Sequence, residues 1–280
     1  MAKKGINHYI EAGKRATKWH NEYIAEMRKL RFDTIAVHGV YSMQEALDFN
    51  QGSIIEPIYM STSQAYRDAD EMEAALSYQI PTWCYSRIGN PSMYYFEGVL
   101  ALLESYNSGV EASCQATSSG MAAIQSAVDA FLVANPKKPG QKMNFVATCQ
   151  VYGGTFQQFA QRKDIEKNIE WRKVINSMNL EEWESKIDEN TRFLYGELPS
   201  NPSQAFFDIK KVADIAHKYN IPLIVDSTVA TPALLRPLEH GADVVVQSVT
   251  KSLFTSGFGI AGAVIAKKNL TSNIDNDMMK

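Results

Sequence analysis

Two short apolar runs, each ending in a polar residue, constrain the fold of this chain more than any other feature. Residues 221–227 read IPLIVDS and residues 242–248 read ADVVVQS. Runs of β-branched residues like these are typical of strands buried on both faces of a parallel sheet. Open α/β sheets bind ligands at the carboxyl ends of such strands. Asp226 directly follows the apolar residues of the first run and Lys251 closely follows the second run, so both are predicted to lie at a ligand-binding edge.

A lysine and an aspartate placed in this way favour one cofactor, pyridoxal 5'-phosphate (PLP). A lysine can hold PLP as a Schiff base, and a carboxylate at the pyridine nitrogen keeps the ring protonated, so that it acts as an electron sink. Taken singly, Lys251 is more often a surface lysine and Asp226 more often a turn residue. The hypothesis therefore depends on other segments.

Further polar residues follow predicted strands in the second half of the chain. Strands are predicted at 144–149, 169–175 and 192–197, alternating with helices. This alternation predicts the α/β class, with a mostly parallel sheet and helices on both faces. Such sheets gather their loops at one edge. The residues expected to converge there are Ser119, Tyr152, Asn201, Asp226 and Lys251.

Three of these residues have features that suit a phosphorylated aromatic ring. Residues 117–123 read TSSGMAA and begin a helix, so Ser119 lies where backbone N–H groups and the helix dipole favour an anion. A well-capped helix is the simpler alternative. Tyr152 follows a strand and could stack on a flat ring. Asn201 lies in a loop with two prolines that restrict its shape.

The segment YSRIGNPS, residues 85–92, places a phenol and a guanidinium on one loop. Asn90 and Pro91 are typical of a helix start, so Tyr85 and Arg87 are predicted to precede a helix. They could clamp a phosphate, because arginine offers planar bidentate donors. An exposed loop arginine is an equally good interpretation of the spacing.

Composition and charge exclude several classes of function. The 280 residues include 28 basic and 31 acidic side chains, so no basic surplus indicates a nucleic-acid or membrane partner. No apolar run has the length of a signal peptide core or a membrane span. Cys84, Cys114 and Cys149 lack metal-ligand spacing, so no metal site is expected. Free thiols in a reducing compartment are predicted, which indicates the cytoplasm.

A glycine-rich segment, GFGIAG at residues 257–262, matches the spacing of dinucleotide-binding loops. That fingerprint requires a strand before it and a helix after it. Here residues 263–266 continue as an apolar strand. The segment is therefore interpreted as a turn into a return strand.

Six motifs together resemble a known family. YSRIGNPS, SSGMAA, VYGGT, ELPSNP, DSTVATP and SVTK occur in the order and approximate spacing of the PLP-dependent enzymes of cysteine and methionine metabolism. That family includes cystathionine γ-synthase, cystathionine lyases, methionine γ-lyase and O-acetylhomoserine sulfhydrylase. The resemblance covers about residues 32 to 268 and implies the fold-type-I large domain.

The resemblance also implies a role for each site residue. Lys251 would form the Schiff base and later shuttle protons, and Asp226 would pair with the pyridinium nitrogen. Tyr152 would stack on the ring, and Asn201 would bond its hydroxyl. The cofactor phosphate would be held by Gly120, Met121, Ser248 and Thr250.

A shared site and a reaction class are implied as well. The loop with Tyr85 and Arg87 would reach into a neighbouring subunit, which implies a homodimer or homotetramer. The reaction would be γ-elimination or γ-replacement on a homoserine- or cysteine-derived amino acid. O-acetylhomoserine sulfhydrylation is the first expectation, with methionine γ-lyase or cystathionine lyase activity next. A non-catalytic PLP-binding or scaffold protein stays as the alternative of another class.

Departures from the family pattern concern the substrate side of the site. Gln247 stands where histidine is usual, Val249 where a small residue is usual, and Ser252 where an aromatic is usual; the glycine-rich turn also begins later, at Gly257. Family members continue into a C-terminal domain that carries the arginine for the substrate carboxylate, and this domain is expected to be absent here. A truncated form, a split protein and a shortened protein all fit.

The expected domains are an N-terminal arm and extended segment (1–60), a PLP-binding domain (61–268) and the start of a linker (269–280).

Overall fold

The structure is a computed structural model that describes residues 5–133, 140, 142–254, 257 and 259–270. The described residues form two compact units with their boundary between Leu102 and Leu103. In both units, no described helix is long and apolar enough to cross a membrane.

The first unit is helical. The extended segment expected within residues 1–60 is partly helical, because α2 (Phe32–His38) and α3 (Met43–Phe49) form there. Each has seven residues, too few for a helical period to emerge from the sequence. A capping box between Ser42 and Glu45 stabilises the start of α3. The helices are α1 (Ile6–Met27), α2 (Phe32–His38), α3 (Met43–Phe49), α4 (Ala69–Leu76) and α5 (Pro91–Glu104), the last ending just past the boundary.

The second unit is built on a sheet that has seven strands among the described residues, in the order β1-β7-β6-β5-β4-β2-β3. In that order, the five adjacent strands β6, β5, β4, β2 and β3 are parallel to one another. Strand β7 is antiparallel to both of its neighbours, β1 and β6. The predicted mostly parallel α/β sheet is therefore confirmed. The strands are β1 (Ala112–Thr117), β2 (Asn144–Thr148), β3 (Glu170–Val174), β4 (Thr191–Glu197), β5 (Leu223–Asp226), β6 (Val244–Gln247) and β7 (Gly262–Lys267).

Successive residues of the central strands point to opposite faces, and each face is covered. Phe145 and Phe193 pack in one apolar cluster together with Ala123 of α6. Their neighbours Val146 and Leu194 pack in the other, which includes residues of α9. Helices on both faces, as predicted, follow from this arrangement. The helices of this unit are α6 (Gly120–Asp129), α7 (Gly153–Gln157), a π-helix (Gln158–Ile165), α8 (Leu180–Glu184), α9 (Ile209–Lys218), α10 (Thr231–Leu234) and a 3₁₀ turn (Pro237–His240).

Strand β1 was not predicted from the sequence. Its residues, ASCQAT, are small or polar, and only alternate ones are half-buried over most of its length. It lies at the edge of the sheet and pairs antiparallel with β7, with Thr117 opposite Gly262. The prediction that the glycine-rich segment leads into a return strand is confirmed by β7, although Phe258 lies outside the described residues.

Candidate active site

Five predicted site residues lie at one edge of the sheet. Strand β1 shares its direction with β6, since both run antiparallel to β7, so all strands except β7 end at the same edge. Asp226 is the last residue of β5, and the other four lie in segments that follow β1, β2, β4 and β6. The structure therefore brings the following predicted residues to a common edge: Ser119, Tyr152, Asn201, Asp226 and Lys251.

The N-terminus of α6 has backbone N–H groups that can bind an anion. The Ser119 hydroxyl caps the helix by accepting the N–H of Ala122 at 3.1 Å, and the Ser119 carbonyl accepts the N–H of Ala123. The helix geometry leaves the first two amides, those of Gly120 and Met121, pointing out of the first turn. Such amides, together with the helix dipole, form a site for a phosphate group.

Gly120 packs directly against the loop after β6. A Cβ built on Gly120 would lie 2.5 Å from the Cβ and 2.6 Å from the Oγ of Ser248. Both distances are shorter than van der Waals contact, so the close approach requires a glycine at this position. Two residues that were predicted to bind the same phosphate therefore lie side by side.

Thr250 is engaged with the entry to β7. Its hydroxyl accepts the N–H of Ala261 and donates to the Ala261 carbonyl, each at 3.0 Å. A hydroxyl carries one proton, so Thr250 would have to rotate to donate to a phosphate. Its predicted role in phosphate binding stays a prediction.

Asp226 is a buried carboxylate, 6% exposed. Burial raises the pKa of Asp226, and hydrogen bonds from Thr228 and Tyr195 oppose that rise. The Thr228 N–H donates to Oδ1 at 3.0 Å, and the Tyr195 hydroxyl lies 3.4 Å from Oδ2. A protonated ring nitrogen would supply the positive charge that favours the ionised form of Asp226.

Glu197 was missed by the sequence analysis. It ends β4 and lies directly opposite Asp226 in the parallel register. Its Oε2 accepts the N–H of Tyr152 and its Oε1 accepts the N–H of Asn201, each at 2.7 Å. Burial first, and then the charge of Asp226, raise the pKa of Glu197 to about 7. The signal available in the sequence was an acidic residue ending a buried strand, in ELPSNP.

The other three predicted site residues at this edge of the sheet are exposed to solvent. Lys251 and Asn201 are exposed, and Tyr152 is 46% exposed. Because Lys251 is exposed, its side chain is accessible to an incoming molecule. Met121 and Gly154 line part of a groove of about 530 Å³, and Gly154 packs against the Tyr152 ring.

Tyr85 and Arg87 belong to the first unit. The Arg87 guanidinium carbon lies 5.4 Å from the centroid of the Tyr85 ring, in a cation–π arrangement on an exposed loop. The predicted helix start is confirmed, since α5 begins at Pro91 and the Asn90 side chain accepts the N–H of Ser92. Across the described part of the chain, no group of three His, Cys, Asp or Glu residues is placed to hold a metal ion.

Comparison with known proteins shows which family the chain belongs to. The family model described as Cys/Met metabolism PLP-dependent enzyme matches residues 33–279. The chain belongs to this family. An L-methionine γ-lyase from Porphyromonas gingivalis is 34% identical over 89% of this chain. An O-acetyl-L-homoserine sulfhydrylase from Corynebacterium glutamicum is 32% identical over 88% of it.

Solved structures agree with this family assignment. A putative O-acetylhomoserine (thiol)-lyase from Campylobacter jejuni, which carries a pyridoxyl-lysine monophosphate, superposes with a TM-score of 0.74 at 33% identity over 87% of this chain. A cystathionine γ-lyase from Lactobacillus plantarum gives 0.71 at 26% identity over 88%. The chain spans 58% and 52% of the two curated relatives and 55% and 57% of these two structures.

PLP is the cofactor of this family, and the residues present fit it. The close contact between Gly120 and Ser248 leaves no room for a side chain at position 120, so the start of α6 and the loop after β6 lie side by side, as a shared phosphate site requires. A buried carboxylate, Asp226, is available for a ring nitrogen, and the Lys251 amine is exposed at the same edge of the sheet. When bound, PLP supplies an electron sink for charge that develops next to the substrate amino group.

Proposed function

We propose that this chain forms the PLP-binding part of an enzyme that carries out γ-elimination or γ-replacement on a homoserine- or cysteine-derived amino acid. The observation that carries the proposal is the meeting of Asp226, Lys251 and the α6 N-terminus at one sheet edge. Family membership supports the reaction class.

Each residue has a proposed task that follows from its chemistry. Lys251 would hold the cofactor covalently, and its amine, when free, would move protons at the substrate Cα and Cβ. Asp226 would keep the ring nitrogen protonated, and Tyr152 would pack against the cofactor ring. Asn201 would hydrogen-bond the ring hydroxyl. The phosphate would be held by Gly120, Met121, Ser248 and Thr250, with Ser119 capping the helix that presents it.

O-acetylhomoserine sulfhydrylation is the proposed reaction, with methionine γ-lyase or cystathionine lyase activity as the alternative. The O-acetyl-L-homoserine sulfhydrylase and the L-methionine γ-lyase match this chain at similar identity, 32% and 34% respectively. The deciding assay compares O-acetylhomoserine plus sulfide with methionine alone. Homocysteine formed only in the first supports replacement, whereas methanethiol released from methionine supports elimination. Cofactor uptake without either product would favour the non-catalytic PLP-binding protein.

The cofactor proposal is tested by the visible spectrum of the protein after incubation with PLP and removal of the excess. We expect absorption near the violet edge of the visible range, lost in Lys251→Ala. Lys210→Ala is the matched control, because Lys210 is an exposed lysine of α9 that pairs with Asp214. A colourless protein, or equal colour in Lys251→Ala, would contradict the proposal.

A homodimer or homotetramer with shared sites is proposed from the loop of Tyr85 and Arg87. Both side chains are exposed in the single chain, as expected for residues that face a partner subunit. Mixing Arg87→Ala with Lys251→Ala tests this, because mixed dimers would contain one intact site. Cofactor affinity that stays at the level of Arg87→Ala alone would argue against sharing. Cys84 and Cys149 are free thiols, which suits a reducing compartment, and we propose the cytoplasm.

A further inference from the structure

We infer that Glu197 is a positioning residue, whose carboxylate fixes Tyr152 and Asn201 relative to Asp226 and so sets the geometry of the cofactor ring site. The inference rests on the proposed function, since it concerns the same ring. It adds a residue that does not touch the cofactor in that proposal but acts through two residues that do.

Glu197 joins two loops that are separate in sequence. Tyr152 lies in the loop after β2, and Asn201 lies in the loop after the neighbouring strand β4. Each loop donates one backbone N–H to a different oxygen of the same carboxylate, at 2.7 Å. These distances are at the short end for N–H···O bonds and are typical of an ionised acceptor. The two loops therefore have a common anchor.

The chemistry of the anchor explains why the residue is an acid. A carboxylate is an acceptor at both oxygens, whereas a glutamine amide has one acceptor oxygen and one donor NH₂ group. Two converging N–H donors can both be satisfied only by the carboxylate. A glutamine would leave one backbone donor facing another donor, and one loop would move away.

Burying the charged carboxylate of Glu197 costs free energy, which favours a role for this residue at the site. Glu197 is 5% exposed, and no ion pair with a lysine, arginine or histidine is found for it in the described part of the chain. Its hydrogen bonds to the two N–H groups therefore oppose the desolvation of its charge. Asp226 lies opposite it in the strand register, so a cationic ring held by Asp226 would also lessen the repulsion between the two carboxylates.

The test compares Glu197→Gln with the unaltered protein in two measurements on the PLP-loaded chain. The first is the affinity for PLP from an absorption titration, which we expect to fall about tenfold because one of two loops loses its anchor. The second is the visible circular dichroism of the bound cofactor, which reports the asymmetric packing of Tyr152 on the ring. We expect this signal to change towards that of Tyr152→Ala.

A double-variant cycle separates positioning from a general loss of stability. If Glu197 acts through Tyr152, the affinity loss of Glu197→Gln combined with Tyr152→Ala will be clearly smaller than the sum of the single losses. Additive losses would overturn the inference. Asp243→Asn is the matched control, because the Asp243 carboxylate also accepts a backbone N–H, that of Leu223, but at the opposite ends of the strands. We expect its cofactor signal to be unchanged.

A second variant keeps the inference testable if Glu197→Gln does not fold. Glu197→Asp retains the buried charge, but its shorter side chain cannot reach both amides, so we expect an intermediate affinity and an altered dichroism. Unchanged affinity and dichroism in both variants, with PLP bound by the unaltered chain, would overturn the role of Glu197 alone. Failure of the unaltered chain to bind PLP would overturn the proposed function and this inference with it.

Discussion

The hydroxyl of Thr228 accepts the backbone N–H of Ser248 at 2.7 Å. The backbone N–H of the same threonine donates to Asp226 at 3.0 Å. Thr228, which lies just after β5, therefore links the proposed ring anchor to the proposed phosphate loop. Its two hydrogen bonds limit how far the two halves of the proposed cofactor site can separate.

Replacing Thr228 with valine should weaken cofactor binding. The change keeps the shape of the side chain but removes the acceptor for the Ser248 N–H, a loss of about 1 kcal/mol or more. We expect PLP affinity to fall about five- to tenfold in an absorption titration, with a small change in melting temperature. Thr228→Ser retains the hydroxyl and should bind nearly as the unaltered protein does. Equal affinity in the valine and serine variants would contradict the link.

Gly120→Ala should disrupt the proposed phosphate site. The added Cβ would lie 2.5 Å from the Cβ of Ser248, so α6 and the loop after β6 must separate. We expect at least tenfold weaker PLP binding, measured by titration. Gly153→Ala, at the start of α7, is the matched control, because a Cβ there meets nothing within 4 Å. Comparable losses in the two variants would show that the close approach is not what matters.

The pH dependence of stability should reflect Glu104. This residue is fully buried at the end of α5 and accepts a hydrogen bond from Gln247 at 2.6 Å. Burial raises the pKa of Glu104 to about 8 from its ordinary 4.5, and the bond from Gln247 and the charge of Arg236 oppose that rise. The folded protein therefore holds a proton that the unfolded chain releases above pH 4.5.

The free energy of unfolding should consequently fall as the pH rises from about 5 to about 8, by roughly 1 kcal/mol per pH unit for one such group. Glu197, with a pKa of about 7, contributes in the same direction over the lower part of this range. Glu104→Gln should make the slope shallower in urea denaturation at several pH values. The exposed Glu73→Gln should not, and equal slopes in the two variants would contradict the assignment.

Removing only the carboxylate from the ion pair between Lys163 and Asp129 should lower the free energy of unfolding more than removing the lysine. Lys163 lies fully buried on the π-helix, and its ammonium donates to the Asp129 carboxylate. Asp129→Ala leaves a buried cation without this partner, and we expect a loss of about 3 kcal/mol in the free energy of unfolding. Lys163→Met removes the cation and keeps much of the volume, so its loss should be under about 1.5 kcal/mol. The double variant should resemble Lys163→Met, and denaturant unfolding would show whether it does.

Local patterns in the sequence were sufficient to place Asp226 and Lys251 at one edge of the sheet. Asp226 and Lys251 follow runs of buried β-branched residues, and parallel strands leave their carboxyl ends at one edge. The Asn90–Pro91 helix start and the Ser119 cap depend on residues within one turn of each other, so they too could be predicted. Elements with a short or weak periodicity were not predicted from the sequence. These are the seven-residue helices α2 and α3 and the edge strand β1.

The sequence by itself determined the alternation of strands and helices, the parallel sheet and the polar residues that end its strands, because these depend on periodicity and on neighbours along the chain. Only the tertiary structure decided that Gly120 touches Ser248, that Thr228 links Ser248 to Asp226, and that Glu197 holds the loops of Tyr152 and Asn201. These contacts join segments distant in sequence. Their strength comes from burial and from the direction of single N–H groups, and neither is visible in a residue's identity.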